Sequence, residues 1–114
     1  MSEIELDELA ARLGELSVLD VRSPQEFTGE GGYPCDPRHG HIPGALHLDV
    51  QELLSLDPDE IRARVGEPRE LAVYCHSGSR SDFAAQVLRS LGYDARNYRG
   101  SWHEWSRTEL PVES

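Results

Sequence analysis

In "LAVYCHSGSRSDFAAQVLRSLG", residues 71–92, an apolar run ends at a cysteine. Small polar residues and an arginine follow. A segment with helical spacing then runs to Gly92, a residue suited to ending a helix. The spacing predicts a buried strand over 70–74, a loop opening at Cys75 and a helix over 80–91. A strand feeding a helix through a short loop is a unit of α/β architecture. In such sheets, ligands bind beyond the carboxyl ends of the strands. Cys75 stands at such an end.

Working outward, "SVLDV" (17–21) and "ALHLDV" (45–50) read as two further strands, and "DARNY" (94–98) as a weaker fourth. Ile4, Leu6, Leu9, Ala10 and Leu13 have roughly helical spacing, ended by Gly14. "PDEIRARVG" (58–66) reads as a short helix with Asp57 as N-cap and Pro58 in its first turn. Residues 29–44, "GEGGYPCDPRHGHIPG", hold five glycines and three prolines and are read as loop. A loop that long in a compact domain indicates function or an insertion. Short apolar strands alternating with helices predict a mostly parallel sheet covered on both faces. No repeat or linker is visible, and the 114 residues are read as one domain, 1–114, able to bury a single core.

The net charge of −10 comes from 21 acids against 11 bases, all of them arginine. That balance argues against nucleic-acid and anionic-membrane partners, which require a basic face. The N-terminal stretch does not resemble a signal peptide, and no apolar run is long enough to cross a membrane. Two cysteines cannot form a disulfide framework, so the expected compartment is the reducing cytoplasm. An acidic protein that binds a small anion must do so with local donors.

The 75–81 loop has such donors. Inward-pointing backbone N–H groups of a tight loop make an anion nest, and the following helix adds its positive end. Both favour the thiolate, which is the nucleophile. Gly78 suits a turn of positive φ, Arg80 offers a cation to an incoming anion, and Ser77, Ser79 and Ser81 offer hydroxyls. The alternative for Cys75 is a plain buried apolar residue, but a polar run is a poor neighbour for one. His76 is read as a surface histidine, because adjacent side chains point apart. The loop is Cys-x4-Arg, one residue short of the Cys-x5-Arg loop that cradles a tetrahedral phosphate. The smaller nest suits one sulfur atom carried on the cysteine.

Three blocks then resemble the rhodanese-type sulfurtransferases: "VLDVRSPQEF" (18–27), "GHIPGALHL" (40–48) and "YCHSGSRS" (74–81). A fourth, "YRGSWHEWSRTELPVE" (98–113), and the loop "GYPCDPRHGHIPGA" (32–45) are similar to the catalytic C-terminal domain of two-domain thiosulfate and mercaptopyruvate sulfurtransferases. The resemblance implies a rhodanese-like three-layer α/β domain with a central, mostly parallel five-stranded sheet. Four strands are visible in the periodicity, and the fifth is implied by the family.

The resemblance also implies that Cys75 accepts sulfane sulfur as a persulfide, and that His76, Ser77, Gly78, Ser79 and Arg80 form the substrate-binding loop. Asp20 and Arg22 are read as a structural charge-assisted bond. Trp102 and Trp105, after Ser101 as a possible N-cap, are read as one packed helical face. The implied partners are a small-molecule sulfur donor, thiosulfate or a similar anion, and a thiol or cyanide acceptor, with a sulfur-accepting protein as a further candidate. No metal and no organic cofactor is expected. Cys35 could relay sulfur, pair with Cys75 on oxidation, or be an ordinary loop residue; a metal site from Cys35, His39 and His41 lacks a fourth ligand and ordinary spacing. Rival readings are a phosphatase or arsenate reductase, a persulfide carrier or delivery subunit, and a non-catalytic rhodanese-like binding module.

Overall fold

The computed structural model describes residues 3–114; Met1 and Ser2, part of the 1–114 domain reading, lie outside the described residues. Five strands form one sheet: β1 (Glu3–Ile4), β2 (Ser17–Asp20), β3 (Leu46–His47), β4 (Glu70–Tyr74) and β5 (Asp94–Tyr98). Their order is β1-β5-β4-β2-β3, and every pairing is parallel. The helices are α1 (Leu6–Ala11), α2 (Pro24–Thr28), α3 (Val50–Leu53), α4 (Pro58–Val65), α5 (Ser79–Ser90) and α6 (Ser101–Trp105).

Strand alternation divides the core between the two faces of the sheet. Leu71, Val73 and Cys75 join Leu19 and Val21 on one face, packed with Leu53, Ile61, Ala84 and Leu88 of the flanking helices. Ala72, Tyr74 and Val18 lie on the other, with Leu9, Ile42, Trp102 and Trp105. Each fully buried large side chain contributes roughly 1.5–3 kcal/mol relative to exposure. The two tryptophans do form a packed helical face, each with its indole N–H satisfied by a carbonyl, Arg38 for Trp102 and Pro111 for Trp105, both at 3.0 Å.

Two sequence expectations shift, and a third difference is a helix that the sequence pattern does not show. The fifth strand is made by Glu3 and Ile4, which the periodicity had placed in the first helix. Ile4 pairs with Tyr98 and is buried, so extended pairing wins over the helical pattern, and α1 spans only Leu6–Ala11. The strand expected over 45–50 is two residues long, because Asp49 accepts from Gln51 N at 2.9 Å and starts α3. Finally, α2 had no sequence expectation. Ser23 caps it in a reciprocal capping box with Glu26, followed by Pro24 at the first position. Asp57 caps α4 in the same way, as its sequence indicated.

The 29–44 segment is pinned at several points. Arg22, buried between the rings of Tyr74 and Trp102, donates to Asp20 Oδ2 at 2.7 Å and to the Gly40 carbonyl at 2.5 Å. His41 exchanges backbone bonds with Glu113 at 2.7 and 2.9 Å. The two stretches that resemble the longer sulfurtransferase branch therefore touch one another. Among the described residues, no helix is long and apolar enough to cross a membrane.

Candidate active site

Cys75 follows the central strand β4 directly, on the face covered by α5, and is completely buried. The chain reverses at Gly78, whose φ of +96° favours glycine; a Cβ there would lie 2.6 Å from the Arg99 carbonyl oxygen. That turn aims donors at the sulfur. Gly78 N–H lies 3.1 Å from Sγ, Ser81 N–H 3.4 Å, and the Ser81 hydroxyl 3.4 Å. Burial pushes the Cys75 thiol up. The Ser81 hydroxyl and the N–H groups of Ser81, Gly78 and Ser77 outweigh it, leaving the thiol below its ordinary range. The N-terminus of the 12-residue α5 lies here and adds the positive end of its dipole.

The backbone of the cysteine is held from α6. Trp102 N–H donates to the Cys75 carbonyl and His103 N–H to that of His76, both at 2.9 Å. Ser101 Oγ accepts from Cys75 N–H at 3.1 Å and donates to the Tyr98 carbonyl at 2.8 Å. Ser101 is therefore a helical residue rather than the N-cap, which is Gly100. Its φ of +53° is uncommon for serine and turns the hydroxyl's two bonds toward the site.

Two loop residues differ from expectation. His76 is not a surface histidine: it is buried, stacked on Tyr33 with centroids 3.7 Å apart, and its Nε2 is 2.9 Å from Asp36 Oδ2. The long loop reaches back to supply Tyr33 and Asp36, which spacing in the sequence could not show. Arg80 does not face an open anion site. Its guanidinium donates to both Glu26 oxygens, at 3.0 and 3.2 Å. Burial raises the Glu26 carboxyl, but Arg80 and the Ser23 contacts outweigh it, leaving the group below its ordinary range.

Ser77 and Ser79 border solvent. Ser77 and Arg99 line both a cleft of about 670 Å³, shared with Gly100, His103 and Arg107, and a smaller one of about 270 Å³, shared with Gly78, Ser79, Asp82 and Asn97. Arg99 is largely exposed, with Glu3 Oε2 at 3.5 Å. Cys35 and Cys75 are both free; Cys35 is exposed, and its carbonyl accepts from Arg107. Among the described residues, Cys35, His39 and His41 form no ligand cluster. Asp36, His76 and His103 bring their ligand atoms within 4.8 Å of one another. The Arg107 guanidinium donates to Asp36 Oδ1 at 3.0 Å and already supplies that carboxylate's positive charge, which opposes a cation there.

Sequence reading missed Glu26, Asp36, Asn97 and Ser101 as parts of the site. Only Glu26 had a local signal, the Ser-Pro-x-Glu box. The others arrive through tertiary packing.

Residues 5–108 match the rhodanese-like domain family. A thiosulfate sulfurtransferase of Corynebacterium glutamicum is 35% identical over 118 residues, covering 89% of this chain and 39% of that protein. The sulfur carrier protein TtuD of Thermus thermophilus is 36% identical over 110 residues, covering 81% of this chain and 39% of that protein. The chain thus spans about two fifths of the length of these curated relatives. Among solved structures, a "probable thiosulfate sulfurtransferase" superposes with a TM-score of 0.87 at 47% identity, covering 99% of this chain and 48% of that one. The human single-domain sulfurtransferase TSTD1 gives 0.71 at 35% identity, with 96% and 98% covered. With the parallel five-stranded sheet and the cysteine loop at the end of its central strand, these matches place the chain in the rhodanese-like domain family.

Proposed function

We propose that this chain is a thiosulfate-type sulfurtransferase that carries sulfane sulfur on Cys75. The observation that carries this reading is the set of N–H groups closing on one buried sulfur in a loop too short for phosphate. The Cys75 thiolate attacks the outer sulfur of thiosulfate. The S–S bond of the donor breaks, its electron pair leaves with sulfite, and a persulfide remains on Cys75. The N–H groups of residues 76–80 surround the terminal sulfur and stabilise its negative charge. An acceptor, cyanide or a thiol, then attacks that terminal sulfur, and the Cys75 thiolate is regenerated. No metal or organic cofactor enters the cycle.

Arg80 supports the loop through Glu26 rather than by gripping the donor. Arg99, exposed beside both clefts, is the better candidate to meet an anionic donor. The test is thiocyanate formation from thiosulfate and cyanide by wild type and Cys75→Ser. The reading expects turnover that the substitution abolishes; equal turnover by both would refute it.

A second reading is favoured by the similarity to a sulfur carrier protein. A carrier would accept sulfur on the same cysteine but turn over slowly with thiosulfate, while a persulfidated donor protein would load it quickly. Single-turnover loading compared with steady-state turnover separates the two.

A further inference from the structure

Ser81 Oγ contacts two acceptors but has one proton to donate. It lies 2.6 Å from Asn97 Oδ1 and 3.4 Å from Cys75 Sγ. A 2.6 Å contact between two oxygens, one of them a carbonyl, requires the hydroxyl proton between them. The orientation of the Asn97 amide is fixed independently. Its nitrogen lies 3.2 Å from the Gly78 carbonyl, which can only accept, so the oxygen must face Ser81. Asn97 is buried and comes from the end of β5, the strand beside β4.

We propose that Asn97 is a positioning residue: its side-chain carbonyl competes with Cys75 Sγ for the single Ser81 proton, and this competition sets how readily the sulfur is held as a thiolate. With Cys75 as a thiol, S–H donates to Ser81 Oγ and the hydroxyl donates to Asn97. When the thiol loses its proton, the hydroxyl turns to Sγ and leaves the Asn97 carbonyl. When Cys75 carries a further sulfur, the negative charge sits on the terminal atom, Sγ is neutral, and the hydroxyl returns to Asn97. This last state rests on the sulfurtransferase reading; the first two do not.

Titratable and charged groups also stand on the elements packed around the loop, and substitution at 97 leaves them in place. They are Arg80 with Glu26 of α2, His76 with Asp36 of the long loop, the Arg22–Asp20 pair at the end of β2, Asp82 of α5, and Arg99 after β5.

The test is the pH dependence of Cys75 alkylation by iodoacetamide, in a Cys35→Ser background that removes the exposed thiol. Asn97→Asp makes the competing acceptor anionic and should raise the midpoint by about one unit, so that alkylation below it slows about tenfold. Asn97→Ala removes the acceptor and should lower the midpoint, speeding alkylation severalfold. Both variants lose the bond to the Gly78 carbonyl, so shared loosening of the loop moves them together and only the competition moves them apart. Ser81→Ala supplies a further arm: in its presence Asn97→Ala should shift nothing more. Midpoints that move in the same direction, stay with wild type, or still respond to Asn97→Ala without Ser81 overturn the proposal. Intact mass after thiosulfate treatment of the same proteins keeps the two readings apart. Opposed midpoints without sulfur uptake would sink the sulfurtransferase reading alone, and uptake with unmoved midpoints would sink this one alone.

Discussion

Arg80 donates to both carboxylate oxygens of Glu26 and so ties the first turn of α5 to α2. The most prominent cation of the cysteine loop is already neutralised. In the structure it holds the loop's shape by tying α5 to α2.

Removing that partner should therefore act on stability and on the donor together. Glu26→Ala strands a half-buried guanidinium and breaks the α2 capping box, for an expected loss of about 1–3 kcal/mol. The released Arg80 is then free to meet an anion, and KM for thiosulfate should fall. Urea denaturation and steady-state kinetics check the two effects; an unchanged midpoint and a raised KM would show that Arg80 already binds the donor.

The pair Asp20–Arg22 is fully buried, with the guanidinium also bonded to the Gly40 carbonyl. Asp20→Asn leaves an uncompensated charge in the core beneath the long loop. Such a loss costs about 3–5 kcal/mol. Chemical denaturation should show it, and a loss below 1 kcal/mol would mean that the pair is not buried in solution.

A surface network contributes to the acid limb of stability. Arg12 hydrogen-bonds Glu70 at 2.6 and 2.9 Å; slight burial opposes it, Arg96 adds a further bond, and the carboxyl is held down at about 2 against an ordinary 4.5. An acid with a lowered folded-state pKa contributes stability in full above its unfolded value and loses it as pH falls through the folded one. The contribution of Glu70 should therefore fade between about pH 4.5 and 2. Glu70→Gln should flatten the stability profile in that window. The effect should be small, because these groups are only partly buried and are screened by salt. Thermal melts from pH 5 to 2 measure it, and parallel profiles would refute the assignment.

The parallel sheet and the position of the cysteine were legible because they rest on local signals: apolar runs of strand length, an Asp-Pro helix start, and a glycine where φ is positive. The five-stranded count came from resemblance, since Ile4 fits a helical pattern until Tyr98 offers it a partner. His76 was misread for a related reason. Neighbour rules place it away from Cys75, correctly, but only the fold shows that Tyr33 and Asp36 wait there, about 40 residues earlier in the chain. Asn97 and Ser101 had no signal. Their roles depend on β5 and α6 converging on the end of β4.

The proposed chemistry stands or falls with sulfur carried on Cys75. The direct measurement is the intact mass of wild type and Cys75→Ala after thiosulfate treatment, before and after cyanide. A gain of about one sulfur atom is expected on wild type only, discharged by cyanide, because the nucleophile must pass through a covalent intermediate. No gain with thiosulfate, mercaptopyruvate or a persulfidated protein, or an equal gain on Cys75→Ala, would contradict it.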